Sequence, residues 1–264
     1  MKGFSFDLTV SIITGIFMCL IILPVFALFT ETSFEELIKQ FKSPLVLSAI
    51  VISLKTSLIV VLVSLLLGIP AAYLLATKQF KGKEILDTLV DLPICMPPLV
   101  AGLALLILFG GSSRFGSFFI SNGIDIIFST KGIIIAQVFV SAPFLIKSTR
   151  SAFESIDKNV TNVSLTLGAS KFYTFRKVLI PLAKNGIYAG IVMTWARALG
   201  EFGATSMVAG CIPGKTETMT VAVYQNAMSG KMNSSIAIAL LLIIFSFTSL
   251  LIFKSRVRAQ TAPV

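Results

Sequence analysis

Histidine is absent from this sequence, and charged residues make up only 13% of its 264 positions. The absence excludes histidine-based catalysis, histidine metal ligation and histidine proton relays. Soluble domains carry roughly 25% charged residues, so this chain has about half of the usual solubilising charge. Hydrophobic residues make up 55% of the chain, and the mean hydropathy is +0.93. This composition predicts a protein embedded in a lipid bilayer.

Cysteine is also scarce. Cys19, Cys95 and Cys211 lie far apart, and two of them fall within apolar runs. An odd, scattered set argues against a disulfide framework or a metal cluster. No internal repeat and no low-complexity segment is visible. We therefore expect no cofactor and a single transmembrane domain over residues 1–264.

Six apolar segments predict an all-α polytopic membrane protein of about six transmembrane helices, because a bilayer core needs about 20 apolar residues in a helix. The predicted spans are 11–29, 56–76, 89–109, 132–146, 187–209 and 236–253. The first has a longer apolar run than a usual signal peptide, and no small-x-small cleavage site follows it, so we interpret it as a retained helix. The fourth is the shortest, and it contains Gln137 and Pro143.

Positive charge is distributed unevenly between the connections. With both termini inside, fourteen Lys and Arg residues fall on the inner side and six on the outer side. The inner set is Lys2, Lys78, Lys81, Lys83, Lys147, Arg150, Lys158, Lys171, Arg176, Lys177, Lys184, Lys254, Arg256 and Arg258, and the outer set is Lys39, Lys42, Arg114, Lys131, Lys215 and Lys231. This asymmetry predicts cytoplasmic termini in a cell membrane. It also accounts for the net charge of +10 without a nucleic-acid partner.

The fourth connection, residues 147–186, is the longest polar segment and is cytoplasmic in this topology. Apolar residues recur in it at steps of three and four, at Leu165, Ala169, Phe172, Phe175 and Leu179. This spacing predicts one amphipathic helix. Such a helix could lie on anionic lipid headgroups, or it could be offered to a cytoplasmic protein. Periodicity alone leaves both alternatives open.

The same loop resembles the signature of importer-type ABC permeases. Gly168, nine further residues and then Val178-Leu179-Ile180-Pro181 match the Gly and Pro of that signature at its spacing. The family's Glu-Ala-Ala triplet is replaced here by Asn162-Val163-Ser164. In that family the loop forms the coupling helix that docks in a cleft of the ATPase subunit. The resemblance implies that this contact is made by Asn162, Leu165, Gly168, Ala169, Phe172, Phe175, Val178, Ile180 and Pro181.

A second resemblance concerns the transported solute. Residues 196–205, Ala-Arg-Ala-Leu-Gly-Glu-Phe-Gly-Ala-Thr, resemble the fifth-span signature of molybdate and tungstate permeases, and 212–218, Ile-Pro-Gly-Lys-Thr-Glu-Thr, are similar to the next segment of those permeases. Sulfate permeases share the Leu-Gly-Glu core but tend to have Tyr-Gly-Ser where Phe202-Gly203-Ala204 stands. Two further matches lie at 68–73 and 92–102. The likeness covers about residues 50–253.

The resemblance implies the transmembrane subunit of an ATP-driven importer for molybdate or tungstate. The implied partners are two ATP-binding cassette subunits, an extracytoplasmic oxyanion-binding protein and a second copy of this chain. The alternatives are a sulfate or thiosulfate permease of the same fold and a stand-alone secondary transporter. We expect no enzymatic activity in this chain itself. Gly214-Lys215-Thr216 resembles the end of a phosphate-binding loop, but Ala209 stands where that motif requires its first glycine.

Arg197 and Glu201 fall ten to fourteen residues into the fifth predicted span, near the membrane midplane. A charge there costs about 2.5–3.5 kcal/mol on insertion scales. At a spacing of four they can pair along one helix face. The pair, with Thr205 one turn further on, either holds the bundle in one packing or contacts the anion in the translocation path.

Small residues and prolines mark close packing and kinks. Ala196, Gly200 and Ala204 form one stripe of small residues, and Gly186 with Gly190 forms another pair, which predicts close helix packing. Pro93, Pro97 and Pro98 fall inside the third predicted span. Proline in a helix removes a hydrogen bond and kinks the chain, so this span should be bent against the bundle or the pathway.

Overall fold

The computed structural model describes the backbone of residues 2–261 and the side chains of residues 6–252, and within these residues the regular structure is entirely helical. The helices are α1 (Lys2–Thr30), α2 (Phe34–Lys42), α3 (Pro44–Thr77), α4 (Lys83–Cys95), α5 (Pro98–Phe109), α6 (Arg114–Ser121), α7 (Thr130–Glu154), α8 (Lys158–Thr166), α9 (Lys171–Thr174), α10 (Ile180–Leu182), α11 (Lys184–Leu199), α12 (Gly203–Ala209), α13 (Met219–Met228) and α14 (Met232–Thr261), with a π-helical turn at Phe175–Leu179.

Among the described residues, four helices are long and apolar enough to cross a membrane by themselves, namely α1, α3, α7 and α14. Two bent pairs pass the same test together. One pair is α4 with α5, which meet at 112°, and the other is the segment Lys171–Leu182 with α11, which meet at 72°. Counting each bent pair as one span gives up to six spans. The predicted all-α polytopic fold is therefore confirmed.

Four predicted spans were too short, including 11–29, where α1 covers Lys2–Thr30, and 236–253, where α14 covers Met232–Thr261. Helix α3 begins at Pro44 rather than at residue 56, because its first turns pack Val46, Ala49 and Ile50 into a buried cluster. Helix α7 runs over 25 residues, Thr130–Glu154, rather than over 132–146. Its low hydropathy reflects burial in protein rather than exposure to lipid. The buried Gln137 illustrates this, because its Nε2 donates to the Ala198 carbonyl at 3.0 Å.

The centre of the bundle is formed by α3, α7 and α11. A Cβ on Gly186 would lie 2.3 Å from the Cβ of Ala152, and one on Gly190 would lie 3.0 Å from the Cα of Leu145. Helices α11 and α7 are thus in backbone contact, as the small-residue pair predicts. The hydroxyl of Thr194 donates to the Ser141 carbonyl at 3.2 Å across the same interface.

The two ends of the bundle carry different short helices. Residues 155–183 lie at one end, which we call the loop end, where Thr77 at the end of α3 lines a cavity together with Leu165. At the opposite end, α2 is fastened to the start of α14, because the Gln40 amide donates to Ser234 Oγ at 3.0 Å. Helix α6 carries a cluster of phenylalanine rings at that end.

Candidate functional site

The first break in a membrane-embedded helix lies between α4 and α5. Met96 caps α4, and α5 starts at Pro98 after Pro97. Neither proline has a backbone N–H, so two of the helical hydrogen bonds that would cross the junction cannot form. The predicted kink is confirmed, but the 112° bend is far sharper than a proline kink in a continuous helix.

The second break separates α11 from α12 and corrects the prediction of one continuous helix over 187–209. Helix α11 ends at Leu199 with Gly200 as its cap, and α12 begins at Gly203. Glu201 therefore lies outside both helices. Its side chain provides the hydrogen-bond acceptor that a preceding helical turn would otherwise provide. Oε1 accepts from the Ala204 N–H at 2.8 Å in the first turn of α12. The Glu201 carbonyl accepts from Thr220 Oγ1 at 2.9 Å.

Arg197 and Glu201 form an ion pair across this break, with Nη1 of Arg197 2.6 Å from Oε2 of Glu201. Because Glu201 has left the helix, the two side chains do not meet along one helix face as predicted. The Glu201 side chain is 1% exposed and that of Arg197 is 29% exposed. A buried carboxylate is costly unless it is paired and hydrogen-bonded. Here the guanidinium and the start of α12 meet both requirements.

The two breaks converge on one cleft of about 330 Å³. It is lined by Pro97, Pro98 and Leu99 from the first break and by Arg197, Gly200, Glu201, Phe202 and Gly203 from the second. Non-helical backbone at membrane depth is tolerated where protein buries it or where it lines a water-filled cavity. Arg197 is the only cation among these lining residues. The arrangement can therefore present one partly exposed guanidinium to an anion.

Close backbone contact fixes the far wall of the cleft. A Cβ on Gly203 would lie 2.9 Å from the Cβ of Pro98, and one on Gly102 would lie 2.8 Å from the Cα of Ala204. Helices α5 and α12 consequently touch through their backbones. Gly203 and Ala204 of the motif 196–205 thus pack against α5.

Thr205, the third residue predicted at this site, lies in α12 and does not line the cleft. It is fully buried, and its hydroxyl has no hydrogen-bond partner among the described residues. The structure therefore brings Arg197 and Glu201 to the cleft, whereas Thr205 is buried in α12 and does not line the cleft.

Sequence reasoning missed Thr220 and the role of Gln137. Gln137 was visible as a polar residue in the weakest span, which is a signal for burial against protein. Thr220 gave no signal, because its bond to Glu201 joins residues nineteen positions apart. Aromatic packing of Phe202 on Tyr224, with ring centroids 4.8 Å apart, was likewise not predictable from spacing.

The predicted amphipathic helix at the loop end is broken, which corrects the prediction of one continuous stripe. Helix α8 ends at Thr166, and Gly168 follows with a φ of +83°. The Gly168 N–H donates to the Leu165 carbonyl at 3.0 Å, and the Ala169 N–H donates to the Ser164 carbonyl at 3.1 Å. This pair of bonds is a Schellman motif, which ends a helix at a left-handed residue. Ser170 then caps α9, because its hydroxyl accepts from the Tyr173 N–H.

The break divides the predicted coupling residues into two groups. Phe175 and Leu179 pack into the bundle, where the ring of Phe175 lies 4.8 Å from that of Tyr73. Phe172 is 69% exposed and Leu165 is 39% exposed. Of the rest, Asn162 is exposed on α8, Ala169 lies in the turn, Val178 in the π-helical turn, and Ile180 and Pro181 in α10. Leu167, which the stripe did not include, is 81% exposed at the tip of the segment.

The motif at 212–218 forms a compact loop at the opposite end. Lys215, Thr216 and Glu217 all donate their N–H groups to the Ile212 carbonyl. The Glu217 side chain is buried, and its Oε2 has no hydrogen-bond partner among the described residues. Burial raises the pKa of Glu217 above its ordinary value. Burial, and then the nearby Glu217 carboxylate, raise the pKa of the Cys211 thiol.

Residues 64–259 match the model of the family described as binding-protein-dependent transport system inner membrane component. The chain belongs to this family. Both helix breaks, the Arg197–Glu201 ion pair and the loop-end segment lie within the matched residues. The recognition of an importer-type ABC permease is therefore confirmed.

Three relatives show how far the likeness extends. The probable transport system permease protein NifC of Clostridium pasteurianum is 34% identical over 93% of this chain and 86% of its own. The molybdate/tungstate transport system permease protein WtpB of Pyrococcus abyssi is 39% identical over 79% of this chain and 80% of its own. The sulfate transport system permease protein CysW of Synechococcus elongatus is 38% identical over 81% of this chain and 74% of its own.

A solved structure shares the fold. It is a bacterial ABC transporter involved in the import of the acidic polysaccharide alginate, with a TM-score of 0.73 at 18% identity. The match covers 97% of this chain and 96% of that chain. At this identity the likeness speaks for the fold alone.

Proposed function

We propose that this chain is the transmembrane subunit of an ATP-driven importer of tetrahedral oxyanions, with molybdate and tungstate as its substrates. The observation that carries the proposal is the cleft at which two helix breaks meet beside Arg197. A guanidinium offers donors in a planar fork that matches an oxyanion. Glu201 holds this guanidinium, so Arg197 can contact the anion without losing its partner.

The motif around the cleft supports molybdate or tungstate over sulfate. Phe202-Gly203-Ala204 stands where sulfate permeases tend to have Tyr-Gly-Ser. The relative WtpB is named for molybdate and tungstate. Because CysW, named for sulfate, has nearly the same identity, sulfate or thiosulfate is the second candidate. Family membership favours an ABC permease over a stand-alone secondary transporter.

The proposed transporter contains three kinds of partner for this chain. Two ATP-binding cassette subunits dock at the loop end, an extracytoplasmic binding protein delivers the anion at the opposite end, and a second copy of the chain completes the path as a homodimer. The chain acts as one membrane domain in the cell membrane. The loop end and both termini face the cytoplasm, since fourteen of the cations lie on that side in this orientation.

Competition between anions tests the substrate. The chain is reconstituted in vesicles with its ATPase and binding-protein partners, and uptake of labelled molybdate is measured against unlabelled competitors. We expect tungstate to compete at concentrations similar to molybdate, and sulfate to compete only at a large excess. Equal competition by sulfate would assign the chain to the sulfate group instead.

A further inference from the structure

Helix α4 leads into the cleft but is only loosely packed. Pro93 is its one buried residue, whereas five large apolar side chains on it are more than a third exposed, namely Ile85, Leu86, Leu89, Leu92 and Ile94. A cavity of about 620 Å³ is lined by Ile94 of α4, by Lys147 of α7 and by Met193 of α11. Within this chain, only one residue of α4 is therefore buried against the bundle.

Ion pairs join α4 to α7 instead. Asp91 Oδ2 lies 2.8 Å from Lys147 Nζ, and the carboxylate of Asp87 pairs with the guanidinium of Arg150. The two carboxylates are four residues apart on α4, and the two cations are three residues apart on α7, so the pairs stack on successive turns. Arg150 Nε also lies 2.7 Å from Glu154 Oε1. We call Asp87, Asp91, Lys147 and Arg150 the α4–α7 clasp.

The clasp is partly exposed. Both aspartates are 34% exposed, Lys147 is 52% exposed and Arg150 is 22% exposed. Ion pairs in such positions are weak because water and salt screen them. A weak contact suits an element that must detach and return, whereas α5 is held to α12 by close backbone contact at Gly102 and Gly203.

The junction between α4 and α5 has the properties of a hinge. Pro97 and Pro98 have no N–H, so the two helical hydrogen bonds that these residues would donate back to α4 cannot form. A rotation there would move α4 while α5 stays in place against α12. Both prolines also line the cleft beside Arg197, so the hinge lies at the edge of the cleft.

We propose that the α4–α7 clasp holds α4 in the position seen here, at the edge of the cleft, and that opening of the clasp lets α4 swing about the Met96–Pro97 hinge. Asp87, Asp91, Lys147 and Arg150 are then positioning residues for transport, which touch no substrate themselves. The inference rests on the proposed transport through the Arg197 cleft. It goes further by naming the element that moves and the contacts that restrain it.

Distance measurement tests the clasp directly. Spin labels are placed at the exposed Thr88 of α4 and Ser151 of α7 in a chain whose three cysteines are replaced by serine, within the complete transporter. We expect the double variant Asp87→Asn with Asp91→Asn to raise the ratio of the longer to the shorter distance by about fivefold. ATP hydrolysed per anion transported should rise as well, because α4 no longer returns to one position.

Two variants serve as controls. Glu84→Gln lies one turn before Asp87 on the same helix and has no ion pair among the described residues, so it should keep the unaltered distance ratio. The exchange Asp91→Lys with Lys147→Asp restores opposite charges and should recover most of the short distance. An unaltered ratio in the double Asn variant, an equal shift in Glu84→Gln, or no recovery in the exchange would each overturn the clasp.

The distance readout is independent of the substrate. If the unaltered transporter moves no oxyanion while the distances shift as described, the proposed function fails and the clasp stands. If uptake is normal in every variant and the distances do not change, the clasp fails and the proposed function stands.

Discussion

Glu201 joins three parts of the molecule through two oxygen atoms and a carbonyl. Its carboxylate pairs with Arg197 and accepts from the Ala204 N–H, and its carbonyl accepts from Thr220. Helices α11, α12 and α13 thus meet at one residue. A carboxylate that is 1% exposed needs these partners to offset the cost of its burial.

Removing one partner of the pair should therefore cost more than removing both. Arg197→Gln leaves the Glu201 carboxylate buried without a cation, a change that costs about 3–5 kcal/mol. The double variant Arg197→Gln with Glu201→Gln leaves no charge and keeps an amide oxygen for the Ala204 N–H. We expect the single variant to give much less folded protein by size-exclusion chromatography and the double variant to recover most of it. Equal yields in both would contradict the structural part of the pair's role.

Glu217 should make stability depend on pH. Burial raises the pKa of its carboxyl, so the folded chain holds this proton more tightly than the unfolded chain. The resulting stabilisation is fully present below the unfolded pKa and is lost as the pH rises through the folded pKa. Glu217→Gln should flatten the fall in melting temperature as the pH rises above the ordinary pKa of a glutamate, and it should raise the melting temperature at pH values above the pKa of Glu217 in the folded chain. The exposed Glu35→Gln is the control and should keep the original profile; an unaltered profile in Glu217→Gln would refute the assignment.

At the scale of elements, the contact of α11 with α7 allows a matched comparison of two glycines. A Cβ on Gly186 would lie 2.3 Å from the Cβ of Ala152, whereas nothing lies within 4 Å of a Cβ on Gly15 of α1. Gly186→Ala should destabilise the bundle by about 1–3 kcal/mol because the helices must separate. Gly15→Ala should be neutral or slightly stabilising, since alanine favours the helix. Thermal unfolding in detergent measures both, and equal effects would contradict the packing.

The broken loop-end segment changes which side chains are offered to a partner. Leu167 and Phe172 are 81% and 69% exposed, so their replacement by serine should leave the bundle folded. If these side chains enter the cleft of the ATPase, each replacement should reduce the amount of ATPase that copurifies. If the segment rests on lipid instead, the amount of copurified ATPase should not change.

Gly168 requires a separate control because its φ of +83° disfavours other residues. Asparagine adopts this conformation more readily than valine, so Gly168→Asn should keep the turn and Gly168→Val should distort it. If the shape of the turn matters for docking, the ATPase should copurify with the Asn variant and be lost with the Val variant.

Local signals explain what was predictable in these elements. The apolar spacing at 165–179 is compatible with a helix, but Gly168 and Ser170 are a helix end and a helix start placed side by side. These two residues by themselves predict that the segment is divided between them. The sequence around Glu201 contains no comparable signal for a helix end, because the spacing of Glu201 from Arg197 fits a continuous helix. Its bonds to Ala204 and Thr220 form only in the folded chain.

At the scale of the whole molecule, lipid as solvent made most of the architecture predictable. Helices α1, α3 and α14 have a high mean hydropathy, so hydropathy alone identified them, although it placed the start of α3 twelve residues too late. The convergence of the two broken segments was not predictable, because close contacts such as that of Gly203 with Pro98 join distant parts of the chain. Hydropathy indicates which segments enter the membrane but not which of them meet.

ATP-driven uptake in the double variant Arg197→Gln with Glu201→Gln tests the central claim most directly. The variant keeps a bundle without a buried charge but removes the guanidinium from the cleft. The complete transporter is reconstituted in vesicles, and uptake of labelled molybdate is compared with that of the unaltered chain at equal amounts of folded protein. Because a hydrogen bond to a charged group is worth about 1.5–3 kcal/mol, uptake should fall by about 10- to 150-fold. Uptake at the unaltered rate in the folded double variant would show that the anion does not pass Arg197.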